Sequence, residues 1–150
     1  MSVMEKDILG AWHLQQWRIE LPDGRVHYPF GETPKGQILY TADGQMSATI
    51  MADARNGFGA ASARQISDAQ KAAAFDGYFH YAGHWSLEGD VVVHDVTLSL
   101  NPDFIGTQQR RQAHFQDPYH LTLSAKEEVK VKGWRHHFID WFREENESWH

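Results

Sequence analysis

The chain consists of short runs in which apolar and polar residues alternate, separated by residues that favour tight turns. A period of two predicts β-strands that bury one face. Turn signals containing glycine or proline lie at 22–24, 42–44, 88–90 and 116–118, and they predict hairpins between the flanking runs. The pattern predicts nine strands, at 10–20, 25–29, 36–41, 45–51, 78–87, 91–100, 107–116, 119–125 and 134–143.

One segment departs from this pattern and has helical character. In 67–75, Ser67 or Asp68 can cap the first free amides, and a run of alanines favours the helix. The preceding stretch 53–67 is rich in small residues and fits neither period. We therefore expect a loop there, either a lid over a binding site or a plain surface loop.

Nine strands at hairpin spacing with one short helix favour a closed antiparallel β-barrel. Closure removes the unpaired strand edges that an open sheet would expose, and a β-sandwich is the alternative. A length of 150 residues is that of one domain with one core. We therefore expect an all-β fold, a single up-and-down barrel of about 8–10 strands with one short helix.

Composition narrows the classes of partner. Six Trp, five Tyr and eight Phe supply large apolar rings for a core and for pocket walls. The net charge of −6 and the lack of a basic cluster longer than Arg110-Arg111 argue against nucleic acid. The absence of cysteine excludes disulfides, thiolate catalysis and iron–sulfur clusters. No apolar run approaches the ~20 residues of a membrane span, so we expect a cytoplasmic protein that does not associate with membranes.

Strand alternation predicts which side chains point into the barrel. In 91–100 the even positions, including Leu98, are apolar except for His94, so His94 is predicted to face inward. The same alternation turns Tyr81 and Arg111 inward on the preceding and following strands. The inward faces of those two strands also contain Phe79, Trp85, Gln109 and Phe115.

An inward Arg111 requires a partner, because removing water from a guanidinium is costly unless other groups replace it. Gln109, Tyr81 and His94 are candidates within the protein, and an anionic or carbonyl group of a ligand is another. The alternatives are a buried structural network without a ligand and an Arg111 side chain that reaches the barrel mouth.

A metal site is not expected. His80 and His84 have the spacing of a zinc pair on a helix, but they fall on the outer face of a predicted strand. His136 and His137 point to opposite faces of their strand, so they cannot bind one ion together.

Several motifs along the chain, taken in order, resemble one known family. They read GAW at 10–12, YPFG at 28–31, YTADGQMSA at 40–48, AAFDGY at 73–78 and IDWFR at 139–143. Together they resemble the bacterial and fungal lipocalin-like domain family. The resemblance implies one lipocalin-like barrel domain over residues 1–150, with Trp12 closing one end.

The resemblance also implies a pocket for a small apolar or aromatic molecule. It favours Ile139 and Trp141 inside the last strand, which brings His137 inward with them. With the strand faces described above, the predicted ligand-binding set is Trp12, Tyr40, Phe79, Trp85, Gln109, Phe115, His137 and Trp141.

Three functions are compatible with such a pocket. The first is a cofactor-independent isomerase, cyclase or lyase of secondary metabolism that acts on a small aromatic or polyketide-like substrate. In that enzyme His94 would transfer a proton, Arg111 would stabilise an enolate or phenolate, and Tyr81 would donate a hydrogen bond. The second is a carrier that binds a small hydrophobic ligand without changing it. The third is a haem-binding barrel with His137 as the proximal ligand. No cofactor is expected for the first two, and a homodimer is one alternative for the oligomeric state.

Overall fold

The computed structural model describes residues 2–129 and 133–145. These residues form nine strands at close to the predicted positions: β1 (Gly10–Glu20), β2 (Val26–His27), β3 (Lys35–Tyr40), β4 (Gln45–Met51), β5 (Tyr78–Glu88), β6 (Val91–Ser99), β7 (Gln108–Asp117), β8 (His120–Val129) and β9 (Gly133–Phe142). They also form two α-helices, α1 (Glu5–Ile8) and α2 (Asp68–Asp76), and two single 3-10 turns at Ala63–Gln65 and Pro102–Phe104. Of the strand expected at 25–29, only two residues pair.

Antiparallel pairing closes the sheet into a barrel. Each strand from β3 to β8 pairs with the next, and β1 pairs with both β3 and β9. The short β2 is attached to β1 and lies outside this closed ring of β1 and β3 to β9. The predicted barrel is confirmed, and the β-sandwich is excluded because all the strands belong to one sheet that closes on itself.

The predicted helix is present as α2. It begins with a capping box, in which the Ser67 hydroxyl accepts from the Gln70 amide at 3.1 Å and the Gln70 side chain accepts from the Ser67 amide at 2.9 Å. Within the described residues, no helix has the length and apolar character needed to cross a membrane.

One end of the barrel is closed by Trp12 and by α1, a single-turn helix that strand alternation did not predict. The Trp12 side chain is fully buried, and its indole N–H donates to the carbonyl oxygen of Ile8 at 2.8 Å. The Arg143 guanidinium lies over the Trp12 ring at 4.0 Å and donates to the carbonyl oxygen of Leu9 at 2.9 Å. Trp12 therefore closes one end, as the family resemblance implied.

A β-bulge in β1 reverses the alternation of its side chains. The register against β9 shifts between Leu14 and Gln16, so one extra residue is inserted there. Trp12 and Leu14 face inward before the bulge, whereas Trp17 and Ile19 face inward after it. Simple alternation from Trp12 would have placed the polar residues of this strand inside.

A second β-bulge lies between β5 and β6, and because of it one predicted side-chain direction is wrong. The register shifts between Ala82 and Gly83, whose partners on β6 are Leu98 and Val96. Leu98 was expected to face inward, but its side chain is 63% exposed. Because Thr97 is the extra residue on β6, the alternation that holds from Val92 to Val96 does not continue to Leu98.

Gly83 lies where the backbone of β5 closely approaches the backbone of β6. A Cβ at this position would lie 1.9 Å from the carbonyl oxygen of Asp95, which is backbone and cannot rotate away. We expect Gly83→Ala to lower the free energy of unfolding by about 3 kcal/mol or more. The matched control is Gly57→Ala, because a Cβ there meets nothing within 4 Å. Urea unfolding of both variants measures the difference, and equal stabilities would contradict the close approach.

Candidate functional site

The barrel interior opens as a pocket of about 470 Å³ at the end opposite α1. It lies where the last residues of β4 and β8 meet the first residues of β5, β7 and β9. Most of its wall is apolar and is formed by Trp17, Ile50, Phe79, Phe104, Ala125 and Ile139. Polar residues complete the lining: Gln109, Arg111, Lys126, Glu127 and His137.

Arg111 lies half-buried in this lining and faces inward, in agreement with strand alternation. Its Nη1 donates to the carbonyl oxygen of Arg110 at 3.0 Å, and its Nη2 donates to Oε1 of Gln109 at 3.4 Å. Among the described residues, no carboxylate forms an ion pair with Arg111. The guanidinium is therefore partly desolvated, and its hydrogen-bond partners among the described residues are neutral oxygens.

His137 lines the pocket beside Trp17, on the adjacent strand. The Trp17 indole N–H donates to Nδ1 of His137 at 3.3 Å, and the two rings are stacked with centroids 6.1 Å apart. Burial lowers the pKa of His137, although the nearby Glu127 carboxylate opposes this shift. The imidazole is therefore neutral at neutral pH, and because Nδ1 is an acceptor the ring proton is on Nε2. Nε2 is buried and has no hydrogen-bond partner among the described residues.

His94 lies between two tyrosines in the barrel core. The Tyr40 hydroxyl is 2.7 Å from His94 Nε2, and the Tyr81 hydroxyl is 2.7 Å from His94 Nδ1. Burial, helped by the positive charge of Arg111, lowers the pKa of His94 to about 3. Burial also raises the pKa of both tyrosines. All three side chains are therefore neutral at neutral pH.

The polar protons of this buried network fix the direction of its hydrogen bonds. Two phenols and one neutral imidazole carry three polar protons, and the two hydrogen bonds use two of them. One tyrosine must donate to the ring, while the other must accept from it. His94 is therefore oriented at both nitrogens by protein groups, so neither nitrogen is left for a bound molecule.

The structure separates these residues from the pocket. Phe79 and Phe104 line the pocket, and both rings contact Tyr81, with centroids 5.2 and 6.1 Å away. Tyr81 and His94 lie behind those rings and do not line the pocket. The predicted cluster of His94, Tyr81 and Arg111 is thus divided, and only Arg111 faces the open space.

The predicted ligand-binding set is divided in the same way. Phe79, Gln109 and His137 line the pocket. The other members belong to the packed core between the pocket and the closed end: Trp12, Tyr40, Trp85, Phe115 and Trp141. They were expected to line the cavity because alternation gives the inward direction of a side chain but not its depth along the barrel axis.

Sequence reasoning missed four apolar residues of the wall. Trp17 was hidden by the β1 bulge, and Phe104 lies in a turn where alternation carries no information. Ile50 and Ala125 lie on strand faces that alternate regularly, so the existing signal was sufficient to find them.

The loop at 53–67 lies at the open end of the barrel, because it joins the end of β4 to α2. Residues 53–65 are exposed, and no residue of the loop lines the pocket. Arg55 ties the loop to α2 by donating to the carbonyl oxygen of Ala74 at 3.2 Å. The described conformation is that of a surface loop beside the pocket mouth.

Histidine pairs singled out by their spacing do not form metal sites. His80 and His84 lie on the outer face of β5, where they contact Thr49 and Gln45. Across residues 2–129 and 133–145, no group of three or more His, Asp or Glu side chains is arranged to hold a metal ion.

The low pKa of His94 predicts a specific loss of stability in acid. The ordinary pKa of histidine is 6.5, so the unfolded chain protonates His94 below that pH. The folded barrel keeps His94 neutral down to about pH 3. The free energy of unfolding should therefore fall by up to ~1.4 kcal/mol for each pH unit in this window. Urea unfolding as a function of pH should show a smaller slope for His94→Gln than for the wild type. The substitution His84→Gln, on the exposed outer face, should keep the wild-type slope; equal slopes in all three proteins would contradict the assignment.

A family comparison agrees with the fold of the barrel. A family profile described as a lipocalin-like domain matches residues 9–142. Among solved structures, the chain is similar to a redesigned β-barrel, with 12% identity over 93% of this chain and 94% of that one and a TM-score of 0.44. It is also similar to a de novo designed fluorescence-activating β-barrel, with 12% identity over 93% and 95% and a TM-score of 0.43. No curated protein sequence matches significantly. The match of the family profile over nearly the whole chain shows that this protein belongs to the lipocalin-like domain family.

Proposed function

We propose that this protein binds a small, largely apolar molecule with aromatic rings in the open-end pocket. The observation that carries the proposal is the half-open cavity of about 470 Å³ inside a closed barrel. Its size falls in the range of small-molecule sites, which are roughly 300–1,000 Å³ and mostly apolar with a few polar groups.

The arrangement of the aromatic wall supports a flat ligand. Phe79 and Phe104 meet edge to face with centroids 6.0 Å apart, and Trp17 meets Phe30 in the same way at 5.1 Å. Trp17, Phe79 and Phe104 line the pocket and are already held by these ring contacts, so they can meet a bound ring without rearrangement.

Binding without chemical change is favoured over the isomerase, cyclase or lyase hypothesis. That hypothesis required His94 to take up and release a proton near neutral pH. A pKa of about 3 makes His94 a very weak base at that pH, and both ring nitrogens are engaged by tyrosines. A carrier returns its ligand unchanged, so mass spectrometry of a compound extracted after incubation separates the two functions.

A haem-binding function does not fit the residues at the pocket. Metal ligation through Nε2 of His137 would require its proton to move to Nδ1. The Trp17 indole N–H donates to Nδ1. A proton on Nδ1 would therefore place two N–H donors, one from each ring, facing each other.

Filling the pocket should abolish binding of an apolar dye. Ala125 lines the pocket, whereas the adjacent Ser124 belongs to the outer face of β8. Phenylnaphthylamine, an uncharged dye that fluoresces in apolar surroundings, should bind the wild type and lose at least about tenfold in affinity with Ala125→Phe, because the new ring takes its space. Ser124→Phe is the matched control and should bind as the wild type does. Equal binding of the dye by all three proteins, or no binding by the wild type, would contradict the proposed function.

Titration with haem tests the haem-binding alternative. We expect hemin added at equal concentration to give the absorption spectrum of free hemin, because His137 Nε2 carries a proton that Trp17 holds in place. A shifted Soret band that disappears in His137→Gln would restore the haem hypothesis.

A further inference from the structure

The polar groups that face the pocket are mostly hydrogen-bond donors. Gln109 uses its Oε1 to accept from Arg111 and its Nε2 to donate to the Thr107 hydroxyl at 2.9 Å. Arg111 has five N–H groups, and the described contacts engage two of its nitrogens. His137 adds an N–H at Nε2 with no described partner. Among the described residues, no acceptor forms a hydrogen bond with the His137 N–H, and Arg111 meets only two neutral oxygens.

The described ion pairs also leave a positive charge of the pocket lining unpaired. Arg110, the neighbour of Arg111 on the outer face of β7, forms an ion pair with Glu88. Arg111 has no such partner among the described residues, although it is half-buried and lines a mostly apolar pocket. A partly desolvated guanidinium without a counter-charge is costly, and a bound anion would remove that cost.

Glu127 is the one carboxylate residue in the described pocket lining, and it lies at the mouth. Its side chain is 54% exposed, with Oε2 3.8 Å from His137 Nε2 and Oε1 3.7 Å from Arg135 Nη1. Neither separation is that of a hydrogen bond. Glu127 thus leaves the His137 N–H available, while its negative charge opposes the entry of an anion.

We propose that the pocket selects aromatic oxyanions, molecules whose rings carry a carboxylate or a comparable acidic oxygen group. Arg111 binds the anionic group, and the Nε2–H of His137 donates to one of its oxygens. This inference rests on the proposed function and adds the chemical class of the ligand.

Trp17 is the positioning residue in this arrangement. Its indole N–H occupies Nδ1 of His137, which keeps the ring proton on Nε2. Nitrogen chemical shifts of His137 should therefore report the Nε2–H tautomer in the wild type and a mixture of tautomers in Trp17→Phe. A single, unchanged tautomer in Trp17→Phe would overturn this role.

Two dyes that differ by one acidic group test the ligand class. Anilinonaphthalene sulfonate carries an oxyanion on the rings of phenylnaphthylamine, which has none. We expect Arg111→Gln to weaken binding of the sulfonate dye by about tenfold or more and to change binding of the uncharged dye by less than about twofold. Arg110→Gln, on the outer face, is the matched control and should affect neither dye.

Glu127→Gln gives a second test, at the exposed mouth of the pocket. It should tighten binding of the sulfonate dye by about threefold or more, because it removes a like charge at the mouth, and leave the uncharged dye unchanged. If Arg111→Gln fails to fold, this variant decides the question. Failure of both dyes to bind the wild type would overturn the proposed function. Binding of both dyes that is insensitive to Arg111→Gln or to Glu127→Gln would leave the proposed function standing and overturn the oxyanion class.

Discussion

The pairing of β1 with β9 is the constraint on which the rest of the structure depends. It joins the ends of the sheet over seven residue pairs and gives the strands a common interior. The bulge within this pairing turns Trp17 inward, where it meets His137 on the other strand. Without closure the edges of β1 and β9 would be exposed, and the two rings would not share a pocket.

Polar groups inside the barrel occur in two different hydrogen-bonding environments. Deep in the core, Tyr40, His94 and Tyr81 satisfy one another, and burial keeps all three neutral. Such a network specifies the packing of the core, because each member is oriented by its neighbours. At the open end, Arg111 contacts only neutral oxygens of the described residues, and the N–H of His137 has no hydrogen-bond partner among them. Unmatched donors beside an apolar cavity are the feature of this barrel on which the proposed ligand class rests.

Much of this arrangement could be predicted from the chain itself. Turn residues and alternation placed the strands within a few residues, and the Ser67 cap located α2. The inward direction of His94 and Arg111 was also predicted. The errors in side-chain direction have one cause, because the bulges near Gln16 and Thr97 interrupt alternation and leave no mark in composition.

The sequence by itself determined the strands, the helix and the inward faces, because period-two alternation and turn residues are local properties of the chain. Only the tertiary structure decided which inward groups share open space. Depth along the barrel axis depends on the register between strands that are distant in sequence, and on the bulges that shift it. For that reason Arg111 lies in the pocket with Trp17 and His137, whereas His94 and Tyr81 are enclosed behind phenylalanine rings.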